Sequence, residues 1–135
     1  MWKTYYFRPG PPARHESAAE GPERGRYLVE GAGHCRECHT SRDNLGGFRD
    51  ELELAGGPNP DGDGKVPNIT PHEDGLADWS EGDIAYYLKS GFTPDFDTVG
   101  GSMVEVQENL AQLSDTDRAA IAAYLKTIPA IADSD

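Results

Sequence analysis

The spacing Cys35-Arg36-Glu37-Cys38-His39 constrains this chain more than any other feature. Two cysteines two residues apart, with histidine directly after the second, form the attachment signature of a c-type haem. The thiols become thioethers to the porphyrin and the imidazole becomes an iron ligand. Two plainer uses of the pair stand beside it. A structural zinc site takes four ligands, but Cys35 and Cys38 are the only cysteines, and His15, His34 and His72 form no second pair at zinc spacing. A thioredoxin-like dithiol sits in a βαβ setting, and the β-branched runs of a parallel sheet are missing. The expected cofactor is one haem c, covalent through Cys35 and Cys38, with His39 on the iron.

A chain of 135 residues that is 36% hydrophobic makes one small domain with a modest core, and a porphyrin would supply apolar surface that the chain lacks. Sixteen glycines and ten prolines point to a loop-rich fold wrapped around something. Twelve basic against twenty-four acidic residues leave a net charge of −12, which argues against nucleic acid as a partner. Such a surface steers toward a basic docking patch on a redox protein, or only maintains solubility.

No run of about 18 apolar residues spans a bilayer, and no signal peptide is visible. Haem attachment to this motif takes place outside the bacterial cytoplasm, so the chain reads as a mature or excised piece on the periplasmic side. Trp2, Tyr5, Tyr6 and Phe7, then Arg8-Pro9-Gly10-Pro11-Pro12, read as an aromatic interfacial segment entering a stiff linker. That segment suits the stump of a membrane tether, an arm against a neighbouring domain, or a tail. The expected division is an N-terminal arm over residues 1–21 and a folded domain over 22–131.

Pro22 suits the first turn of a helix running to Glu30 before Gly31. Residues 41–70 read as loop, broken by Gly46-Gly47, Gly56-Gly57-Pro58 and Asn59-Pro60-Asp61-Gly62-Asp63-Gly64. Ser80 with Asp83, and Ser114 with Asp117, match capping boxes. The first opens a helix with Ile84, Tyr87 and Leu88 on one face, stopped by Gly91. The second opens one with Ile121, Tyr124, Leu125 and Ile128 on one face, blocked by Pro129. A shorter helix over 104–110 completes a set without strand patterns, and the expected class is all-α.

A haem iron held by His39 has a sixth position to fill. Met1 stands at the far end of the arm, which leaves Met103, in the flexible stretch Gly100-Gly101-Ser102-Met103. An ordinary core methionine is the plain alternative.

The order of helix, haem motif, glycine-rich loops, capped middle helix, methionine loop and amphipathic last helix resembles the class I cytochrome c fold. More narrowly, Arg24-Gly25-Arg26-Tyr27-Leu28-Val29-Glu30-Gly31, His39-Thr40-Ser41-Arg42, Pro67-Asn68-Ile69-Thr70-Pro71, Asp78-Trp79-Ser80 and Tyr87-Leu88-Lys89-Ser90-Gly91 resemble a haem domain of the cytochrome c subunits of bacterial membrane-bound dehydrogenases. Those subunits carry several haems and an anchor, and proline is common where Ser41 stands. The resemblance implies that Gly25 lets the first helix cross the last near Tyr124. It implies that Arg42, Asn68, Thr70 and Trp79 surround the haem propionates, each with a plainer use as surface charge, turn former or core aromatic. A backbone carbonyl from residues 35–40 or from Pro67 would orient His39.

These residues imply a non-catalytic domain that passes single electrons between redox partners. A haem sensor or peroxidase-like enzyme with a labile sixth ligand is the rival. Asn59, Asp61 and Asp63 imitate a calcium loop, but Thr70 occupies the place of its closing glutamate, so calcium is not expected.

Overall fold

A computed structural model describes residues 1–9 and 20–133; most of the proline-rich stretch read as a linker lies outside the described residues. The helices are α1 (Trp2–Tyr6), α2 (Gly21–Arg26), α3 (Cys35–His39), α4 (Glu81–Ser90), α5 (Met103–Leu110) and α6 (Asp115–Leu125). The fold is mostly helical but not purely so. Gly57–Pro58 (β1) and Lys65–Val66 (β2) pair antiparallel around the turn over 59–64. Strands of two residues are too short to show alternation, which is why the sequence pattern is silent about them.

The first helix runs on past Glu30. α2 continues into a π-helical turn, Tyr27–Ala32, in which Gly33 N–H donates five residues back to Leu28 O at 2.7 Å. Such wide turns cluster at functional sites, and this one leads directly into α3. α4 follows its sequence pattern closely. Ser80 and Asp83 exchange the two bonds of a capping box, and Gly91 ends the helix at φ +78°. α6 ends at Leu125, three residues before its apolar stripe does. Thr127 takes the Tyr124 carbonyl with both N–H (2.8 Å) and hydroxyl (2.7 Å), removing the acceptor that a further turn needs.

The core comprises Leu28 and Val29, Leu54, Ile84 and Leu88, and Ile121, Ala122 and Leu125. Its main joint is the crossing of α2 over α6. A β-carbon on Gly25 would lie 1.9 Å from the Ala120 carbonyl oxygen and 2.7 Å from Tyr124 Cβ, so the backbones touch where only hydrogen fits. Arg24 locks the same joint with a two-pronged bond to Asp117, at 2.8 and 3.2 Å. Ser114 caps α6 through Asp117 N–H at 3.0 Å, but the Asp117 carboxylate serves Arg24, so the second capping box is only half made.

The Arg24 bond holds the Asp117 carboxyl below its ordinary value of about 3.8. The folded state then binds that proton less readily than the unfolded state. Its stabilisation is complete above the ordinary value and lost as the pH falls through the depressed one. The Tm gap between the wild type and Asp117→Asn should therefore be open at about pH 5 and close toward about pH 2. A gap independent of pH would contradict this.

Candidate haem site

α3 carries the whole attachment motif on little more than one turn. It begins at His34, whose φ of +50° turns the chain sharply out of the π turn. Cys35 packs half-buried against the core, Cys38 is exposed, and both thiols are free. Burial pushes the Cys35 thiol up to about 11. A redox dithiol needs a lowered thiol pKa, so this environment opposes the thioredoxin-like use. Among the described residues, no three of His, Cys, Asp and Glu converge as metal ligands.

His39 is buried, and its Nδ1 donates to the Pro67 carbonyl at 2.8 Å. Burial lowers its pKa, against a smaller raising effect of that bond, so the ring is neutral at pH 7. With the proton fixed on Nδ1, Nε2 carries the free lone pair, the arrangement of an imidazole prepared to bind a metal. Three layered segments set this geometry. Gly56 N–H donates to His39 O at 2.8 Å, Leu54 N–H to Thr40 Oγ1 at 2.9 Å, and Ile69 N–H to Leu54 O at 2.9 Å. Gly56 is indispensable there: its φ is +77°, and a β-carbon would lie 2.5 Å from Val66 O.

Met103 is the first residue of α5 and is half-buried. Gly101, at φ +58°, turns the chain into it, and Ser102 Oγ donates to Asp61 Oδ2 at 3.1 Å, tying the methionine loop to the 59–64 turn. Two thiols, a neutral imidazole with a free nitrogen, and a thioether on a separate loop form a donor set that fits a covalently held haem.

A model of the cytochrome c family matches residues 22–129. The chain belongs to the cytochrome c family. As such it is an electron-transfer domain rather than a catalyst. It is 64% identical over 110 residues to a diheme cytochrome c-type protein of Cereibacter sphaeroides, covering 81% of this chain and 36% of that protein. It is 39% identical to the fructose dehydrogenase cytochrome subunit of Gluconobacter japonicus, covering 82% of this chain and 23% of the relative. It is 38% identical to the gluconate 2-dehydrogenase cytochrome c subunit of Pantoea cypripedii, covering 96% and 31%. The chain thus spans roughly a quarter to a third of the length of these relatives.

The other expected site residues of this cytochrome fall into separate groups. Asn68 and Thr70, both buried, act together: Asn68 Oδ1 accepts from Thr70 N–H at 2.8 Å and lies 2.8 Å from the Thr70 hydroxyl. Their remaining bonds reach the end of the chain. Asn68 Nδ2 donates to Ile131 O at 2.7 Å and Asp133 Oδ1 at 3.1 Å, and Ile131 N–H donates to Thr70 Oγ1 at 3.1 Å. Arg42 is elsewhere, donating to Glu37 Oε2 at 2.6 Å and Gly46 O at 3.0 Å, with its guanidinium 4.0 Å from the Phe48 ring centroid. Trp79 stands edge-on to Tyr87, centroids 5.6 Å apart. Among the described residues, no hydrogen bond joins Arg42 or Trp79 to Asn68 or Thr70.

Asn68→Ala would leave the buried Thr70 N–H without its acceptor and cut the tail loose. An unmet buried donor costs about 2 kcal/mol. Tm should drop by about 8 °C, and the Ile131 amide should exchange faster with solvent. Unchanged exchange at Ile131 would show that the tail contact carries no weight.

Two structural residues of the cytochrome escape sequence reading. Gln107, buried, donates to Leu88 O at 3.2 Å and fixes α5 to the end of α4. Arg118, also buried, donates to the carbonyls of Leu110 (3.3 Å), Ala111 (2.8 Å) and Leu113. In sequence both pass for solvated helix residues; the open carbonyl at the end of α4 explains Gln107, and those between α5 and α6 explain Arg118.

Proposed function

We propose that the described domain folds around one covalent haem c and carries single electrons between redox proteins on the periplasmic side of the cell, as part of a larger dehydrogenase-type assembly. The observation that carries this is His39: a buried neutral imidazole on the same helical turn as both cysteines, its Nδ1 committed to Pro67 O, so that Nε2 is held for iron. Haem supplies reversible one-electron chemistry when bound. Cys35 and Cys38 would hold it through thioethers, and His39 and Met103, the latter presented by the Gly101 turn and the Ser102–Asp61 bond, would be the residues that ligate its iron. A sulfur ligand raises the potential and leaves no open coordination position, which suits transfer rather than oxygen or peroxide chemistry.

The single cysteine pair supports one haem in this chain. Of the four residues expected at the propionates, Trp79 offers its indole N–H and Arg42 a guanidinium already shared with Glu37, while the Asn68 amide and Thr70 hydroxyl are engaged with each other and the chain end and would shape the pocket wall instead. Residues 1–21 form the N-terminal arm of this reading, and its first helix packs back on the domain through Trp2 on Leu45 and Tyr6 on Asp43. No helix among the described residues is long and apolar enough to cross a membrane.

A spectroelectrochemical titration of the matured protein tests this. The expected result is one reversible one-electron wave with a spectrum indifferent to carbon monoxide and peroxide. A high-spin spectrum that shifts with either would favour the sensor or peroxidase alternative.

A further inference from the structure

The chain builds one turn twice. Around residues 43–47, Arg42 and Phe48 form an isolated antiparallel bridge; around residues 93–97, Phe92 and Thr98 do the same. In the first, Asp43 N–H donates to Gly47 O (2.9 Å), Gly46 N–H to Asp43 O (3.0 Å) and Gly47 N–H to Asp43 Oδ1 (3.0 Å). In the second, Thr93 N–H donates to Asp97 O (2.9 Å), Phe96 N–H to Thr93 O (3.0 Å) and Asp97 N–H to Thr93 Oγ1 (3.0 Å).

The fourth residue of each turn is left-handed, at φ +82° for Gly46 and +64° for Phe96. Glycine adopts that conformation freely, whereas a bulky side chain there is strained. Phe96 recovers nothing inside the domain: it is 90% exposed and has no ring partner among the described residues. With Tyr86, Phe92 and Pro94 it borders a pocket of about 360 Å³ completed by Asp83 and Thr93. Asp95 and Asp97 belong to the same turn, and no basic side chain lines the pocket.

The first turn shows how such a structure is covered. Trp2 Nε1 donates to Leu45 O at 3.0 Å, Tyr6 hydroxyl to Asp43 Oδ2 at 2.6 Å, and the Tyr6 ring fills the space beside Gly47. The covering segment, residues 1–9, carries Lys3 and Arg8 and no acid. The first turn's one carboxylate, Asp43, is thus met by an aromatic hydroxyl on a segment whose charged side chains are basic. The second turn has no such cover among the described residues.

We infer that the Asp83–Asp97 face is the docking surface for a protein partner whose contact face is an apolar socket edged by lysine or arginine, with the Phe96 ring as the inserted group. Charge selects the partner, since Asp83 lines the aromatic pocket, Asp95 and Asp97 lie in the turn that carries Phe96, and the chain as a whole carries −12. Strain at an exposed aromatic turn, kept where glycine serves in its twin, is the mark of a contact made outside the domain. The inference rests on the electron-carrier proposal for the partner being a redox protein, and not for the surface itself.

The test is photocross-linking of the full, haem-loaded chain in its source cells, with p-benzoylphenylalanine replacing Phe96. The expected product is one discrete adduct with a different protein, whose cross-linked peptide, read by mass spectrometry, holds apolar residues flanked by lysine or arginine. The same probe at Leu45 should not form it. No adduct, an adduct with a second copy or with lipid, or an acidic cross-linked peptide would overturn the inference. Phe96→Gly should keep the absorption spectrum, keep or raise Tm, and cut the adduct formed from a probe at Tyr86 by about tenfold or more. A lowered Tm would make Phe96 a packing residue and overturn it as well. A colourless wild-type protein that still forms the adduct would sink the electron-carrier proposal and leave the surface standing.

Discussion

Gly25→Ala is expected to lower the Tm of the haem-loaded protein by more than about 10 °C, a loss of about 3 kcal/mol or more. One methyl group has this effect because its place is already taken. The new β-carbon would lie 1.9 Å from the Ala120 carbonyl oxygen, a backbone atom, so α2 and α6 must separate instead of letting a side chain swing aside. Separation also stretches the Arg24–Asp117 bond and loosens Leu28 and Val29 from Ile121 and Leu125. Gly31→Ala is the control, since nothing lies within 4 Å of a β-carbon there. It should leave Tm within a few degrees of the wild type. Equal losses from both variants would mean that the helix crossing does not depend on close approach.

Met103→Ala is expected to leave haem attached while lowering the potential, by an amount on the order of 0.2 V within the range of about 0.8 V that axial ligands span. The iron should become high-spin and bind carbon monoxide, and the weak sulfur-to-iron charge-transfer band should vanish. A core methionine predicts something else. Removing a half-buried side chain costs about 2 kcal/mol or more but leaves spectrum and potential alone. The two roles separate in one experiment, and a destabilised variant with wild-type colour and potential would remove Met103 from the iron.

Much of this was legible in sequence because the signals are local. Ser80 with Asp83 and the stop at Gly91 mark α4 at both ends, and Cys35, Cys38 and His39 need only their spacing. Gly25 was legible through family resemblance, and the geometry agrees with it. The unread parts depend on contacts distant in sequence. The π turn before α3, the early end of α6 and the β1–β2 pair arise from backbone bonds that no composition or period encodes. Asn68 and Thr70 were read from their motif alone, yet their partners sit more than sixty residues away at Ile131. Phe96 carries no sequence signal, because an exposed aromatic in a turn means little until its φ is known.

The most direct measurement is the visible spectrum of the purified, matured chain before and after denaturing electrophoresis, beside Cys35→Ala/Cys38→Ala. The account predicts a Soret band that travels with the denatured wild-type polypeptide and is stripped from the double variant. A colourless wild type, or a haem that leaves both chains equally on denaturation, would contradict it.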